Sequence, residues 1–558
     1  MSLDICRSDI VVGKVGSESR PNLVEIVSTL PIPIGTYISI PFNSIDISTG
    51  EKRFHCLVGV VSSTSYKRII PVTPSFMAQP SIAIGIEDDM LRYAPSMARM
   101  FVDVIGNDIR VPSVPPQPDT QVYLAPTQIL SKIFGGRSSE TSIRIGYLIG
   151  RPDVSISIDV NALTKHLFIT GTTGSGKSNT VAILSDRIAS IGGVIAIYDV
   201  HGEYTSLQPY SEGVEIKVID YKLNPLKINP SILARMIIPE AAASIQRALV
   251  SKALREVSKL FQEAIETHGV TEEAIEYLRK KRSISNEQIG DLEDEEGDIE
   301  SKLLYLYREY IKSFIRNKSA NNKLFRESAE KACAKVDEFF EYTSLSFKMP
   351  RITDLLRPSR ILIINSSMLN DEQRDYVLKI ILDEILWYTK QHLLQGSPFP
   401  VLFFIEEAHL FLSANRTTVS RASIERVARE GRKFGLSLAI VSQRPRNIDP
   451  NTLSQVQNFV FMKLVQEQDQ NMVMNISDML TEDLARSLAS MDVGEALVMG
   501  EWIGRFPVYV KIDRHEGKRI GTSLEISQLW RSLRNRIQAP EIGGRLAMLS
   551  MDELKDLL

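Results

Sequence analysis

His166-Leu167-Phe168-Ile169-Thr170, then Gly171-Thr172-Thr173-Gly174-Ser175-Gly176-Lys177-Ser178, then Asn179 to Ala189 is the stretch that decides the fold. An apolar run, a glycine-rich loop and a segment with Val181, Leu184 and Ile188 at helical spacing read as strand, turn and helix in that order. Glycines let the backbone turn with its amides pointing inward, so successive N–H groups and the helix N-terminus can meet polyphosphate oxygens. Lys177 is expected to reach the outer phosphates and Ser178 to ligate Mg²⁺. The candidate ATP-binding residues are therefore Gly171, Thr172, Thr173, Gly174, Ser175, Gly176, Lys177, Ser178 and Asn179. An ordinary glycine-rich turn is the competing reading, and the strand before and helix after the loop count against it. The cradle alone does not say what the nucleotide is used for.

Hydrolysis needs a second, carboxylate-bearing site, and Val401-Leu402-Phe403-Phe404-Ile405-Glu406-Glu407 supplies one. Five apolar residues make a buried strand, and the acids fall at its C-terminal end, where ligands bind in open α/β sheets. Glu406 is expected to hold Mg²⁺, through water, and Glu407 to polarise the attacking water. Aspartate is the usual residue at the metal position, so Glu406 is a departure by one methylene. Asp199 ends the strand after the cradle helix and opens Asp199-Val200-His201-Gly202-Glu203-Tyr204; it is expected near the γ-phosphate, with Glu203 assisting. Gln443, after the strand Leu436 to Val441, offers both donor and acceptor to the γ-phosphate or the water. Arg426, Arg429, Arg432 and Lys433 lie on one helix, and Arg432 is the candidate arginine finger for a neighbouring subunit's nucleotide. A surface helix laced with salt bridges is the plainer alternative.

The 558 residues exceed one ordinary core, so several domains are expected. Composition is globular, and a formal charge of −3 neither indicates nor excludes a nucleic-acid partner, because a channel can gather basic residues locally. Cys6, Cys56 and Cys333 are far apart and in no metal-ligand spacing, which suggests a reducing compartment and no zinc site. No signal peptide or membrane-spanning run is evident, so a cytoplasmic location without membrane contact is expected.

Short β-type runs fill residues 1–150, among them Leu23 to Val27, Phe54 to Val61, Ser81 to Ile86 and Phe101 to Val104, and suggest a small barrel or sandwich. Residues 151–238 and 346–513 alternate strand and helix, the pattern of a mostly parallel α/β sheet. Between them, 239–345 carry only helical periodicity and read as an inserted bundle. Its basic run Arg279 to Arg282 and acidic run Asp291 to Glu300 are read as solvated helix ends or loops. A polar extension, 514–558, follows, closing on a helix from Met551 to Leu558.

The motifs Gly171 to Ser178, Asp199 to Tyr204, Phe403 to His409, Arg429 to Gly435 and Ser442 to Pro445 together resemble the HerA family of archaeal and bacterial DNA translocases, relatives of FtsK. The resemblance covers nearly the whole chain: the β-rich region is similar to the family's HAS barrel, the α/β part to its RecA-like P-loop ATPase core, the insertion to its helical bundle and the tail to its C-terminal brace. It implies a hexameric ring that pumps double-stranded DNA with ATP and Mg²⁺. It further implies a NurA-type nuclease partner, docked on the barrel face, in DNA end resection and double-strand break repair by homologous recombination. Lys165 stands where the family can carry a basic residue acting across the subunit interface. Loops facing the pore are expected to include Ser413 to Arg421, with Arg416 and Arg421 meeting phosphates. Two other readings share every nucleotide motif: a ring motor acting on protein or in conjugation, and a nucleotide-gated scaffold for a nuclease.

Overall fold

The computed structural model describes residues 3–45, 50–68, 92–105, 108–135, 141–240, 242–282, 298–319, 323–414, 416–477, 479–504, 506–517 and 530–531. The strand expected at Ser81 to Ile86, most of the acidic run from Asp291, and the tail with its helix at Met551 to Leu558 lie outside the described residues.

Six N-terminal strands close into an antiparallel barrel. Leu23–Ser28, Val11–Arg20, Gln121–Leu124, Tyr37–Ile45, Lys52–Thr64 and Arg92–Ile105 pair in that order, and Leu23–Ser28 pairs back onto Arg92–Ile105. Closure removes the exposed strand edges that an open sheet would leave. Alternate residues point inward: Val24, Ile26, Ile38, Ile40, Leu57 and Val61 fill the interior. Cys6 and Cys56, with Cα atoms 5.9 Å apart, form a buried disulfide that fastens the short turn Leu3–Cys6 to the barrel wall. This corrects the argument from sparse cysteines to a reducing compartment, since 50 residues of separation in sequence say nothing about distance across a closed barrel. Disulfides also occur inside hyperthermophile cells, so the bond does not itself name a compartment.

The second sheet has eleven strands. Seven are parallel, in the order Asn458–Phe461, Leu167–Thr170, Leu436–Ser442, Val401–Ile405, Val194–Asp199, Arg360–Asn365 and Glu215–Asp220. Four antiparallel strands extend the first edge: Glu495–Gly500, Val508–Ile512, Ser142–Leu148 and Arg151–Asp159. The expected boundary at residue 150 thus falls inside a hairpin that is hydrogen-bonded into this sheet. The central strands are buried along their whole length, as expected of a parallel sheet covered on both faces. The helix Asp371–Leu394 starts at a capping box, in which Asn370 accepts from the Gln373 N–H at 2.9 Å and the Gln373 side chain accepts from the Asn370 N–H at 3.1 Å.

Four helices, Ser244–His268, Glu272–Arg282, Ile299–Ser319 and Lys323–Tyr342, make the insertion. Phe261, Tyr307 and Phe347 join it to the sheet domain, with Phe261 and Tyr307 ring centroids 5.0 Å apart. Its basic run is partly neutralised locally, with Lys281 Nζ 2.8 Å from Glu263, as the solvated-helix reading expects. No helix among the described residues is long and apolar enough to cross a membrane.

Candidate nucleotide site

The parallel strands end level with one another, and that edge carries the site. Register pairs Thr170 with Ser442, Ile405 with Ile440, and Tyr198 with Ile405. The loops that follow Thr170, Ser442, Ile405 and Tyr198 therefore emerge side by side.

The glycine loop leads into the helix Lys177–Ser190. Gly176 has φ +110°, a conformation that side chains disfavour, and a Cβ there would meet Met462 and the Gly494 backbone at 3.1–3.2 Å. Gly171 is needed for a different reason: a Cβ would lie 2.6 Å from Ser175 Oγ and 2.7 Å from Met462 Cβ. The loop is backed from outside by Thr172 N–H donating to Lys463 O at 2.8 Å and Gly494 N–H to Ser175 O at 2.8 Å. Lys177 Nζ donates to the loop's own carbonyls, Gly171 O at 2.9 Å and Thr172 O at 3.1 Å. Burial lowers the Lys177 ammonium's pKa, against the attraction of Glu407, Glu406 and Glu203. Ser178 Oγ donates to Glu203 at 2.8 Å, and Thr173 Oγ1 donates to Gln443 Oε1 at 2.6 Å. Gln443 thus sits against the cradle. Asn179 is placed differently from expectation: its amide donates to Asp513 O and accepts from the His515 N–H, both at 2.9 Å, so its side chain fastens a distant segment rather than facing a ligand.

Asp199 also departs from expectation. Its carboxylate accepts four backbone N–H groups, from His201, Gly202, Glu203 and Tyr204, at 2.8–3.2 Å. It shapes the loop that delivers Glu203, and its oxygens face that loop rather than a phosphate. Glu406 is buried, and the Tyr204 hydroxyl donates to its Oε1. Burial, joined by the charges of Glu203, Glu407 and Asp199, pushes its carboxyl up to about 8 against that hydrogen bond. Ser178, Glu203 and Glu406 make an all-oxygen donor set, and a hard divalent cation would favour the ionised Glu406 carboxylate that burial disfavours, so these residues fit Mg²⁺. Among the described residues no three acidic, histidine or cysteine side chains form a metal-binding group.

Glu407 occupies the left-handed region, φ 46° and ψ 43°, an uncommon conformation for a glutamate. Backbone strain of this kind costs on the order of 1–3 kcal/mol and gathers at functional sites. Its Oε2 lies 3.0 Å from His409 Nδ1, without hydrogen-bond geometry. Burial opposes ionisation of Glu407, but His409, Lys177 and His201 outweigh it and keep the carboxyl below its ordinary value. A charged carboxylate is what polarising water requires.

Arg432 lies elsewhere. It sits near the C-terminal end of the helix Arg421–Phe434, next to the start of Leu436–Ser442, whose far end meets the cradle. A seven-residue strand separates the two by roughly 20 Å, beyond the reach of an arginine side chain. Arg429 and Arg432 are exposed and make no ion pair among the described residues, whereas Arg426 bonds Asp383 at 2.5 Å. His166 holds this helix to the sheet by donating to Ala428 O at 2.9 Å and accepting from the Leu438 N–H at 3.0 Å. Lys165 pairs with Glu501 of its own chain.

Sequence reasoning assigned no role to Tyr204, His409 or Asp513. The first two stand inside the quoted motifs, so their positions were visible but their partners were not. Asp513 Oδ2 accepts from Arg187 at 2.7 Å and Oδ1 from Arg144 at 3.1 Å. That contact joins segments hundreds of residues apart and leaves no local pattern.

The model of the helicase HerA central domain matches residues 143–385. The DNA double-strand break repair helicase HerA of Sulfurisphaera tokodaii is 35% identical over 76% of this chain and 79% of that protein. The chain belongs to the HerA helicase family. The DNA double-strand break repair helicase HerA of Saccharolobus solfataricus is 30% identical and aligns over 94% of this chain and 96% of its own length, so the likeness takes in the barrel as well as the ATPase sheet. Among solved structures, VirB4 of Thermoanaerobacter pseudethanolicus aligns with 68% of this chain and 99% of its own at 15% identity and a TM-score of 0.43. As a HerA helicase the chain is an ATP-hydrolysing enzyme of the helicase and translocase class.

Proposed function

We propose that the chain forms a hexameric ring that hydrolyses ATP to move along double-stranded DNA, and that it works with a NurA-type nuclease in resecting broken ends. The position of Arg432 carries the ring: an exposed arginine on the helix beside the sheet, about 20 Å from its own cradle, has a nucleotide to act on only in a neighbour. The two HerA relatives named above are DNA double-strand break repair helicases, which supports DNA as the track.

In this reading Lys177 exchanges the carbonyls of Gly171 and Thr172 for β- and γ-phosphate oxygens. Gln443, already against Thr173, meets the γ-phosphate or the water. Glu407 orients that water and takes up its developing positive charge. Ser178 and Glu406 would hold Mg²⁺, which when bound neutralises phosphate charge. Arg432 of the next subunit stabilises charge on the transferring phosphoryl group, a contribution of about 10³–10⁵ in rate where such a finger acts. Glu203 and Asp199 keep the adjoining loop in place.

Mixing two inactive variants tests the shared site. Glu407→Gln lacks the water-polarising group and Arg432→Ala lacks the finger, yet an interface between an Arg432→Ala cradle and a Glu407→Gln neighbour is complete. Randomly mixed rings should regain about a quarter of wild-type turnover, since heterologous contacts repeat around a ring. No recovery from rings shown to be mixed would place Arg432 outside the neighbour's site.

A further inference from the structure

Two loops leave the nucleotide edge beside one another: residues 406–420, after Val401–Ile405, and 443–457, after Leu436–Ser442. They are joined at mid-length. Ser413 and Ile448 form an antiparallel bridge, the Ala414 N–H donates to Asn447 O at 3.0 Å, and the Asp449 N–H donates to Leu412 O at 2.9 Å. Arg421 closes the join from the side: Nη1 donates to Ser413 O at 3.3 Å and Nη2 lies 3.1 Å from Asp449 Oδ2, while Nε donates to Glu425 at 2.8 Å. Arg421 is therefore turned to protein partners in both loops, and the phosphate contact expected of it from sequence is replaced by a latch.

The inner ends of the joined loops reach the chemistry. His409 lies against Glu407 and, at 3.3 Å, against Ser442 Oγ, which accepts the Arg444 N–H at 3.1 Å; Gln443 holds Thr173. Arg416 lies just beyond the join on one loop and Arg444 follows Gln443 at the inner end of the other; both are exposed and without an ion pair among the described residues, whereas Arg446 is occupied by Gln468 and Asp469. Free guanidinium groups on the loops that hold the γ-phosphate sensor suit a polyanionic track.

We propose that the Arg421–Asp449 latch makes the two loops one element, which presents Arg416 and Arg444 to the phosphates of duplex DNA and transmits DNA occupancy to Glu407 and Gln443. This rests on the reading that the chain acts on double-stranded DNA. Without the latch, only the two backbone bonds at the bridge tie the loops, and a phosphate pulling on Arg444 moves the other loop less. With it, both loops answer together, and the coupling is reciprocal: whatever factor DNA exerts on nucleotide binding, nucleotide must exert on DNA affinity.

The decisive variant is Asp449→Asn in the full chain, which opens the latch while keeping shape and removing no cation; Arg421→Lys, which keeps the charge and loses the fork, is its partner. ATP turnover is measured with and without linear duplex DNA, and DNA affinity across a salt series. Both variants should keep basal turnover within about twofold, keep the wild-type salt slope, and lose stimulation by about fivefold or more. Arg416→Ala with Arg444→Ala should instead flatten the slope by about two. Folded latch variants that retain full stimulation would overturn the latch, and an unchanged slope in the double arginine variant would overturn the DNA surface. A wild-type chain that duplex DNA neither stimulates nor binds would defeat the underlying reading as well.

Discussion

At the scale of single residues, the cradle was readable because its requirements are local. Gly176 must be glycine where φ is +110°, and Lys177 and Ser178 follow it by covalent necessity. Asp199 was visible as a strand-end acid, but whether its oxygens face a phosphate or a turn depends on the path of residues 200–204, which periodicity does not encode. Its four backbone acceptances make a sharp prediction. Asp199→Ala should destabilise the fold by about 1–2 kcal/mol, because one buried and three part-buried N–H groups lose their acceptor, and should raise the KM for ATP by misplacing Glu203. Chemical unfolding and steady-state ATPase check this; an unchanged midpoint with weakened turnover would instead point to direct contact with the reacting phosphate. Asn179 and Arg421 teach the same lesson, since each was read as facing a ligand and each has its side chain turned to partners distant in sequence or on a neighbouring loop.

At the scale of elements, long apolar runs were the most legible. Val401–Ile405 matches expectation residue for residue and Leu167–Thr170 to within one residue, because burial on both faces leaves an unmistakable pattern. The antiparallel strands Glu495–Gly500 and Val508–Ile512 were missed; they are short, and Val508–Ile512 is placed by pairing with Ser142–Leu148, far away in the chain. The disulfide was equally illegible. Closing a loop of 50 residues restricts the unfolded chain, a contribution of about 4 kcal/mol in the chain-entropy model. Cys56→Ser should accordingly lower the thermal midpoint of the barrel, and reductant should lower the wild-type midpoint but not the variant's. Equal midpoints with and without reductant in the wild type would show that the bond does not contribute.

At the scale of the whole molecule, one edge of a seven-stranded parallel array carries the cradle, the two glutamates and the glutamine, while the arginine helix ends toward the opposite edge. On the proposed reading, a single chain so built holds two halves of different nucleotide sites, and a ring is the assembly that would pair every half. The net charge of −3 is a sum over the whole chain and says nothing of where exposed arginines such as Arg416 and Arg444 are gathered. The central claim is that ATP turnover moves this chain along duplex DNA. Its most direct test is displacement of a triplex-forming strand from linear duplex DNA. The wild type should release the third strand only with ATP and Mg²⁺, and Lys177→Ala and Glu407→Gln should release none. Brisk ATP hydrolysis with no release from any duplex, blunt or tailed and with or without a nuclease partner, would contradict the account.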